Sequence, residues 1–373
     1  MSFQDVVGQA EIKQRLLTEV NEGRIAHALL FSGNEGTGKF PLAMAYARYL
    51  QCHDRTASDA CGVCPSCVQM SKLVHPDVHF VFPIVKKAKK DCCDDYLPER
   101  RRFVLANPNF NLEEWSNEMA AENTQPLIPV KESDELIRKL SLKSVEGGFK
   151  VIILWLPEKL NEASANKLLK LLEEPPAQTV FILITEAVDS ILATILSRTQ
   201  RIHLRPIAEA DIDVALQTKY GILPAESRRI AHAAGGNFIR ALESIQLNAD
   251  REIFFELFVR LMRLSYARKV KEMKQWSEEV AGMGRERQKN FLTYCQHLLR
   301  ENFIYNLHAP ELTFMTEDEE QFSTRFAPFI NERNVQGIMH ELTEAAVHIG
   351  QNVHAKMVFF DFALKMIVLL KHN

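Results

Sequence analysis

The chain has 373 residues, 46% of them hydrophobic, with 45 Lys and Arg against 48 Asp and Glu and a formal charge of -3. This length and apolar content allow a substantial core spread over two or three domains, and the near-neutral balance excludes a polycation that holds DNA by charge alone. No apolar run reaches the roughly 18 residues of a membrane span, and Met1-Ser2-Phe3-Gln4-Asp5 lacks the basic-then-apolar pattern of a secretion signal, which predicts a cytoplasmic protein without a membrane partner.

From Phe3 to Arg24, apolar residues at Val6, Val7, Ile12, Leu16, Leu17 and Val20 follow helical spacing after a turn at Gly8-Gln9. The run Ala28-Leu29-Leu30-Phe31 reads as a strand. It leads through Gly33-Asn34-Glu35-Gly36-Thr37-Gly38-Lys39-Phe40 into a helical pattern predicted to end near Leu50. Strand, glycine-rich turn, lysine and helix is the order of a phosphate-binding loop: Gly33, Gly36, Thr37 and Gly38 let backbone N–H groups converge, the helix start adds its positive dipole end, and Lys39 supplies a point charge. Phe40 stands where a Ser or Thr hydroxyl would hold Mg²⁺. The stretch is therefore either a phosphate or nucleotide site, for ATP or ADP, or a strand-to-helix turn that binds nothing.

Cys52, Cys61, Cys64 and Cys67 follow the loop helix, the last three at two consecutive x2 spacings with Gly62 and Pro65 in the turns. Four thiolates close a tetrahedral Zn²⁺ site with no open position, which is structural and not catalytic. The bland counterpart is four free thiols. His53 and His75 are either spare ligands or surface histidines.

His75-Pro76-Asp77 breaks the next helix, and Val78 to Pro83 reads as a second strand. Residues 84–129 change texture and are expected to form a surface insertion. Its basic runs, Lys86-Lys87-Ala88-Lys89-Lys90 and Arg100-Arg101-Arg102, are either a nucleic-acid contact or solvated faces. Cys92-Cys93 is a metal pair, a redox pair or neither.

Val130 to Leu142 is an amphipathic helix. Lys150 to Leu156 is a continuous apolar run, as in a strand buried on both faces. Asn161 to Glu174 is helical and stopped by Pro175-Pro176. Val180 to Thr185 and Gln200 to Leu204 are read as two more buried strands. Strands alternating with helices predict an α/β fold with a parallel sheet. Ala208 to Leu247 carries short helical patterns around Gly235-Gly236-Asn237, a small helical lid. From Asp250 nearly everything reads as helix, with Ile253, Phe254, Leu257, Leu261 and Met262 on one apolar face and Val358 to Leu370 as a buried helix.

An ATPase needs acidic residues at the end of the strand that carries the Walker B motif, to hold Mg²⁺ and the attacking water. Here Trp155 and Leu156 take those positions, and Glu158 follows a proline. With Phe40, three metal or water positions are apolar, which argues against hydrolysis. Arg198, in Ser197-Arg198-Thr199 ahead of the last core strand, is either a finger reaching a neighbour's γ-phosphate or a surface salt-bridge residue. Arg240 contacts a phosphate in its own chain or caps its helix.

Several stretches together resemble the bacterial clamp-loader AAA+ ATPases of DNA polymerase III: Val7-Gly8-Gln9, His27-Ala28 leading to the glycine loop, the four inserted cysteines, Ala165 to Pro176, Ser197-Arg198-Thr199 and Asn352 to Lys356. Family members carry Cys after Ser-Arg, and Thr199 departs from that. The apolar residues at 40, 155 and 156 beside a retained Arg198 look like the non-hydrolysing delta-prime branch and not like the gamma/tau motors.

The resemblance implies an AAA+ P-loop core over 1–206, with a zinc module at 52–67 and the insertion at 84–129, a lid over 207–247 and a helical collar over 248–373. It implies gamma/tau and delta subunits as partners, with the sliding clamp and primer-template DNA met in the complex. It also implies structural Zn²⁺ on Cys52, Cys61, Cys64 and Cys67, a degenerate nucleotide site at Gly33, Gly36, Thr37, Gly38, Lys39 and Arg240, and a trans-acting finger at Arg198.

Overall fold

The structure, a computed structural model, describes residues 1–87, 90–119, 124–306, 315–351 and 353–370. Ala88 and Lys89 of the first basic run, residues 120–123 and Asn352 lie outside the described residues. The chain divides into two compact units, 1–243 and 244–373. Among the described residues no helix is long and apolar enough to cross a membrane.

In the first unit, β1 (Ala28–Ser32), β2 (Val78–Val81), β3 (Lys150–Trp155), β4 (Thr179–Thr185) and β5 (Gln200–His203) form one sheet in the order β2-β3-β4-β1-β5. Every pairing is parallel, with Leu30 opposite both Leu183 and Arg201, and Ile153 opposite Ile182. All residues of β1, β3 and β4 are buried, which is why these segments are unbroken apolar runs and not alternating ones. The parallel register brings the C-terminal ends of β1, β4 and β3 to one edge, where Phe31, Ile184 and Trp155 form a row. Whatever follows those three strands is gathered there.

β5 is not the buried strand expected. It pairs on one side only, with β1, and Ile202 is its one buried residue. An edge strand with solvent on its far side needs no apolar partners there. Helices α1 (Ala10–Asn21) and α2 (Lys39–Gln51) flank the glycine loop, and α2 is buried along nearly its whole length. The helices α6 (Val130–Ser141) and α7 (Glu162–Glu173) pack against each other, with Leu136, Leu140, Ala165, Leu168 and Leu172 in the core.

The segment 84–129 is not a surface insertion. Ile84 pairs with Leu127, and α4 (Leu97–Ala106), α5 (Leu112–Glu118) and the turns before each of them send Tyr96, Val104, Phe110 and Trp115 into the same core as the sheet. Short helices leave too few turns for a periodic apolar stripe, so the packing here is carried by aromatic rings. Of the arginine run only Arg102 is exposed. Arg100 is 3% exposed, Arg101 Nε donates to the Leu73 carbonyl at 2.8 Å, and Arg102 pairs with Glu118 at 2.6 Å.

The helices α9 (Glu209–Tyr220) and α10 (Pro224–Ala234) pack together, and the chain turns at Gly235-Gly236-Asn237 into α11 (Phe238–Ala267), which continues into the second unit. Among the described residues that unit holds only helices and their connections: the rest of α11, then α12 (Val270–Ala281), α13 (Arg285–Tyr305), α14 (Glu317–Phe326), α15 (Val335–Gly350) and α16 (Ala355–Leu369). Phe254, Phe258, Trp276, Phe291 and Phe359 fill its core. Ile253, expected on the apolar face, is exposed. The last helix buries one face through Phe359, Phe362 and Met366 and leaves Met357 and Val368 to solvent.

Candidate functional site

Gly36 and Gly38 turn the chain from β1 into α2 with φ of +73° and +82°. A side chain on Gly36 has no room, because its Cβ would lie 1.8 Å from Asn237 Oδ1. The loop is tied on several sides. Lys39 Nζ donates to the carbonyls of Gly33 at 2.8 Å and Asn34 at 2.5 Å, and the Thr37 hydroxyl donates to Asn34 O at 2.9 Å. The Phe238 N–H donates to Gly36 O at 3.0 Å, and Gln9 Nε2 bonds Thr37 O at 3.1 Å and Arg205 O at 2.7 Å.

Glu186, just past β4, places its carboxylate 3.6 Å from Lys39 Nζ. Burial holds the Lys39 ammonium below its ordinary pKa, with the charges of Glu186, Glu35 and Glu158 opposing it. Burial likewise raises Glu186, against the pull of Lys39.

The metal positions are closed. Phe40 and Trp155 face a third ring, Phe110, at centroid distances of 4.9 and 5.1 Å. Leu156 sits in the left-handed region at φ +59° and donates its N–H to Ile184 O at 2.8 Å. Glu158 is held at the strand ends, close enough for its charge to act on Lys39. It accepts from the Thr185 hydroxyl at 3.0 Å and the Glu186 N–H at 3.2 Å, joining the ends of β3 and β4. These residues do not fit a magnesium ion.

The space left between Lys39, Phe40, Phe110, Trp155 and Glu186 is about 20 Å³, the size of a single water site. A wider cavity of about 510 Å³ opens beside the start of α11, lined by Glu35, Thr37, Glu186, Gly236, Asn237 and Arg240. Asn237 is the residue that caps α11 there, its Oδ1 accepting from the Arg240 N–H at 3.1 Å.

The four cysteines converge. Cys52 follows α2 and Cys64 caps α3 (Pro65–Ser71), and the sulfurs of Cys52, Cys61, Cys64 and Cys67 all lie within 4.8 Å of one another. Backbone N–H groups of Cys61, Cys64 and Cys67 donate to the sulfurs of Cys52, Cys61 and Cys64 at 3.2, 3.3 and 3.4 Å. Such donors stabilise thiolates and orient them. Those of Cys64 and Val63 pull the Cys61 thiol down to about 6, while burial pushes Cys52 up to about 12. The donor set fits a soft tetrahedral cation.

His53 and His75 stay outside the cluster: His53 lies 3.8 Å from Glu146, and His75 Nδ1 accepts from the Asp77 N–H at 3.2 Å. Cys92 and Cys93 do not act together either. The Cys92 thiol turns to Asp95, and the Cys93 thiol donates to Phe82 O at 3.2 Å.

Arg198 is half-buried between the short helix α8 (Ala193–Leu196) and β5. Its guanidinium meets Glu173 at 2.6 Å and donates to Thr194 O at 2.8 Å and to the Ser197 hydroxyl at 3.2 Å. Because Gln200 lies opposite Leu29 in a parallel pair, Arg198 is at the N-terminal end of the sheet and the glycine loop at the other. More than about 13 Å of strand separates them, so Arg198 does not serve its own loop.

The sequence reading missed Glu186, Phe110 and Arg100. Glu186 had a signal, since the residue after a central parallel strand falls at the edge shared with the loop. Phe110 and Arg100 had none.

The profile of the family described as DNA polymerase III, delta subunit matches residues 8–208, just over half of the chain. DNA polymerase III subunit tau of Salmonella typhimurium is 31% identical over 249 residues, 67% of this chain and 31% of that protein. Subunit delta' of Yersinia pestis is 33% identical over 187 residues, 50% of this chain and 43% of that protein, and subunit delta' of Escherichia coli is 32% identical over 196 residues, 52% and 47%. The chain thus spans about a third to a half of the length of these relatives. A solved structure of a DNA polymerase III gamma subunit-related protein from Thermotoga maritima aligns with 97% of this chain and all of its own at a TM-score of 0.39 and 14% identity. The chain belongs to the DNA polymerase III delta subunit family.

Proposed function

We propose that this chain is a non-hydrolysing, delta-prime-type subunit of the DNA polymerase III clamp loader, which assembles with gamma/tau and delta subunits and helps load the sliding clamp onto primer-template DNA. One observation carries the proposal: Phe40, Trp155 and Leu156 are all apolar where a motor subunit needs a metal or water ligand, while Arg198 is kept at the far end of the sheet. Arg198 then completes the ATP site of an adjacent subunit. Cys52, Cys61, Cys64 and Cys67 hold one structural Zn²⁺. Residues 1–206 form the AAA+ core, 207–247 the lid and 248–373 the collar that joins the subunits, in the cytoplasm.

A second reading, an ATP-hydrolysing gamma/tau-type motor, is favoured by the longer match to subunit tau, 249 residues against 187 for a delta' subunit. Reconstitution separates the two. Clamp loading by gamma/tau and delta subunits is expected to require this chain, while the isolated chain turns over no ATP. Turnover by the isolated chain that Lys39→Ala abolishes would overturn the proposal in favour of the motor.

A further inference from the structure

A P-loop ATPase holds its metal between the loop Ser/Thr and the acidic residue of the Walker B strand, which here are Phe40 and Trp155. In this chain that gap is filled from within. Phe110, from the turn between α4 and α5, sets its ring T-shaped to both, 4.9 Å from Phe40 and 5.1 Å from Trp155. Arg100 of α4 stands against the same three rings. Its guanidinium carbon is 4.4 Å from the Phe110 centroid, 4.6 Å from Trp155 and 5.4 Å from Phe40, with Phe82 and Trp115 at 5.0 and 4.7 Å.

Both terminal nitrogens of Arg100 are buried without a hydrogen-bond partner. A cation buried without an acceptor is costly unless ring faces replace the lost solvation. Taking any of these rings away exposes that cost, so Arg100 couples Phe110 to the two residues that replaced the metal ligands.

We propose that residues 97–118 are a resident occupant of the metal side of this chain's own phosphate site, with Phe110 standing in the place of the metal and Arg100 clamping it there, so that a nucleotide phosphate reaches Lys39 and the metal position only when the segment moves away. The remaining space beside Lys39 and Phe40, about 20 Å³, excludes a phosphate from that side, whereas the cavity of about 510 Å³ beside Asn34, Glu35 and Thr37 leaves the other side of the loop open, and Lys39 itself is bonded to the Gly33 and Asn34 carbonyls. This inference goes beyond the clamp-loader role and does not depend on what Arg198 does to a neighbour.

The test is binding of a fluorescent ADP analogue to the full chain, with Mg²⁺ and with EDTA. Phe110→Ala is expected to bind at least about tenfold more tightly than the parent chain, the gain that follows if the site is open no more than about a tenth of the time. Mg²⁺ should make no difference, and adding Lys39→Ala should remove the gain. A parent chain that binds as tightly as Phe110→Ala overturns the proposal, as does a gain that survives the loss of Lys39.

Should Phe110→Ala fail to fold, hydrogen exchange on the unaltered chain decides. With millimolar ADP, exchange in 97–118 should rise as residues 33–39 gain protection. Protection of the loop without that rise, or no response of either segment, overturns the proposal.

Discussion

The Lys39 ammonium lies 3.6 Å from the Glu186 carboxylate, yet its close hydrogen bonds go to the loop's own carbonyls, Gly33 at 2.8 Å and Asn34 at 2.5 Å. A lysine engaged in this way holds the strand-to-helix turn together from inside. Lys39→Met should therefore lower stability at neutral pH by about 1–3 kcal/mol, through the two orphaned carbonyls and the unpaired Glu186.

The pH dependence has a definite sign. The folded pKa of Lys39 lies below its unfolded value of about 10.4 because of burial, so the unfolded chain binds the proton more readily and this residue makes stability rise as pH approaches that value. Urea unfolding of the parent and the Lys39→Met variant across the alkaline range checks both points. The parent should gain relative to the variant as pH rises.

In the second unit, Glu319 is buried and accepts from Arg251 Nε at 2.8 Å, the Tyr294 hydroxyl at 2.6 Å and the Thr316 N–H at 2.8 Å. Burial pushes its carboxyl up, but these donors outweigh it and the net shift is downward. Its contribution is thus present above the unfolded value of about 4.3 and lost as pH falls through the folded one. Glu319→Gln leaves Arg251 short of its partner and should cost about 3–5 kcal/mol at pH 7. The gap between parent and variant in urea unfolding should narrow in acid.

The cysteine cluster should bind about one Zn²⁺ per chain, measurable by atomic absorption after purification without chelator. Cys64→Ser should remove the metal while keeping the cap of α3, because a serine hydroxyl can accept from the Cys67 N–H as the Cys64 sulfur does at 3.4 Å. Chelation of the parent should lower its thermal midpoint, and the variant should no longer respond. A zinc-free parent with an unchanged midpoint would count against a structural metal.

Arg198→Ala should leave the chain folded and the assembled complex intact, because its bonds to Glu173, Thr194 and Ser197 are half-exposed and weakly stabilising. If Arg198 acts across the interface, ATP turnover at the neighbouring site should fall by roughly 10³–10⁵. Steady-state hydrolysis by the reconstituted complex measures this, and unchanged turnover would remove the trans-acting role.

Much of the fold was legible because its signals are local. Unbroken apolar runs marked β1, β3 and β4, since a strand covered on both faces has no polar side to alternate with. The glycine loop and the cysteine spacing were equally plain, for each must bend backbone around one point. β5 was overread because an edge strand shares composition with a buried one over four residues. Residues 84–129 were misread because charge runs are usually solvated, and nothing local reveals that Arg100 is enclosed by rings from 40, 82, 110, 115 and 155.

The sequence by itself determined that the phosphate loop lacks its metal ligands, because Phe40, Trp155 and Leu156 cannot coordinate a cation in any conformation. It also marked the four cysteines as a candidate metal array, since the two x2 spacings let Cys61, Cys64 and Cys67 face one point, while the folded chain brings Cys52 to them. Only the tertiary structure decided what fills the space those ligands left: Phe110 lies 45 residues before Trp155 and 70 after Phe40 in the chain, and contacts at such separations follow from how helices and sheet pack, which no local pattern encodes.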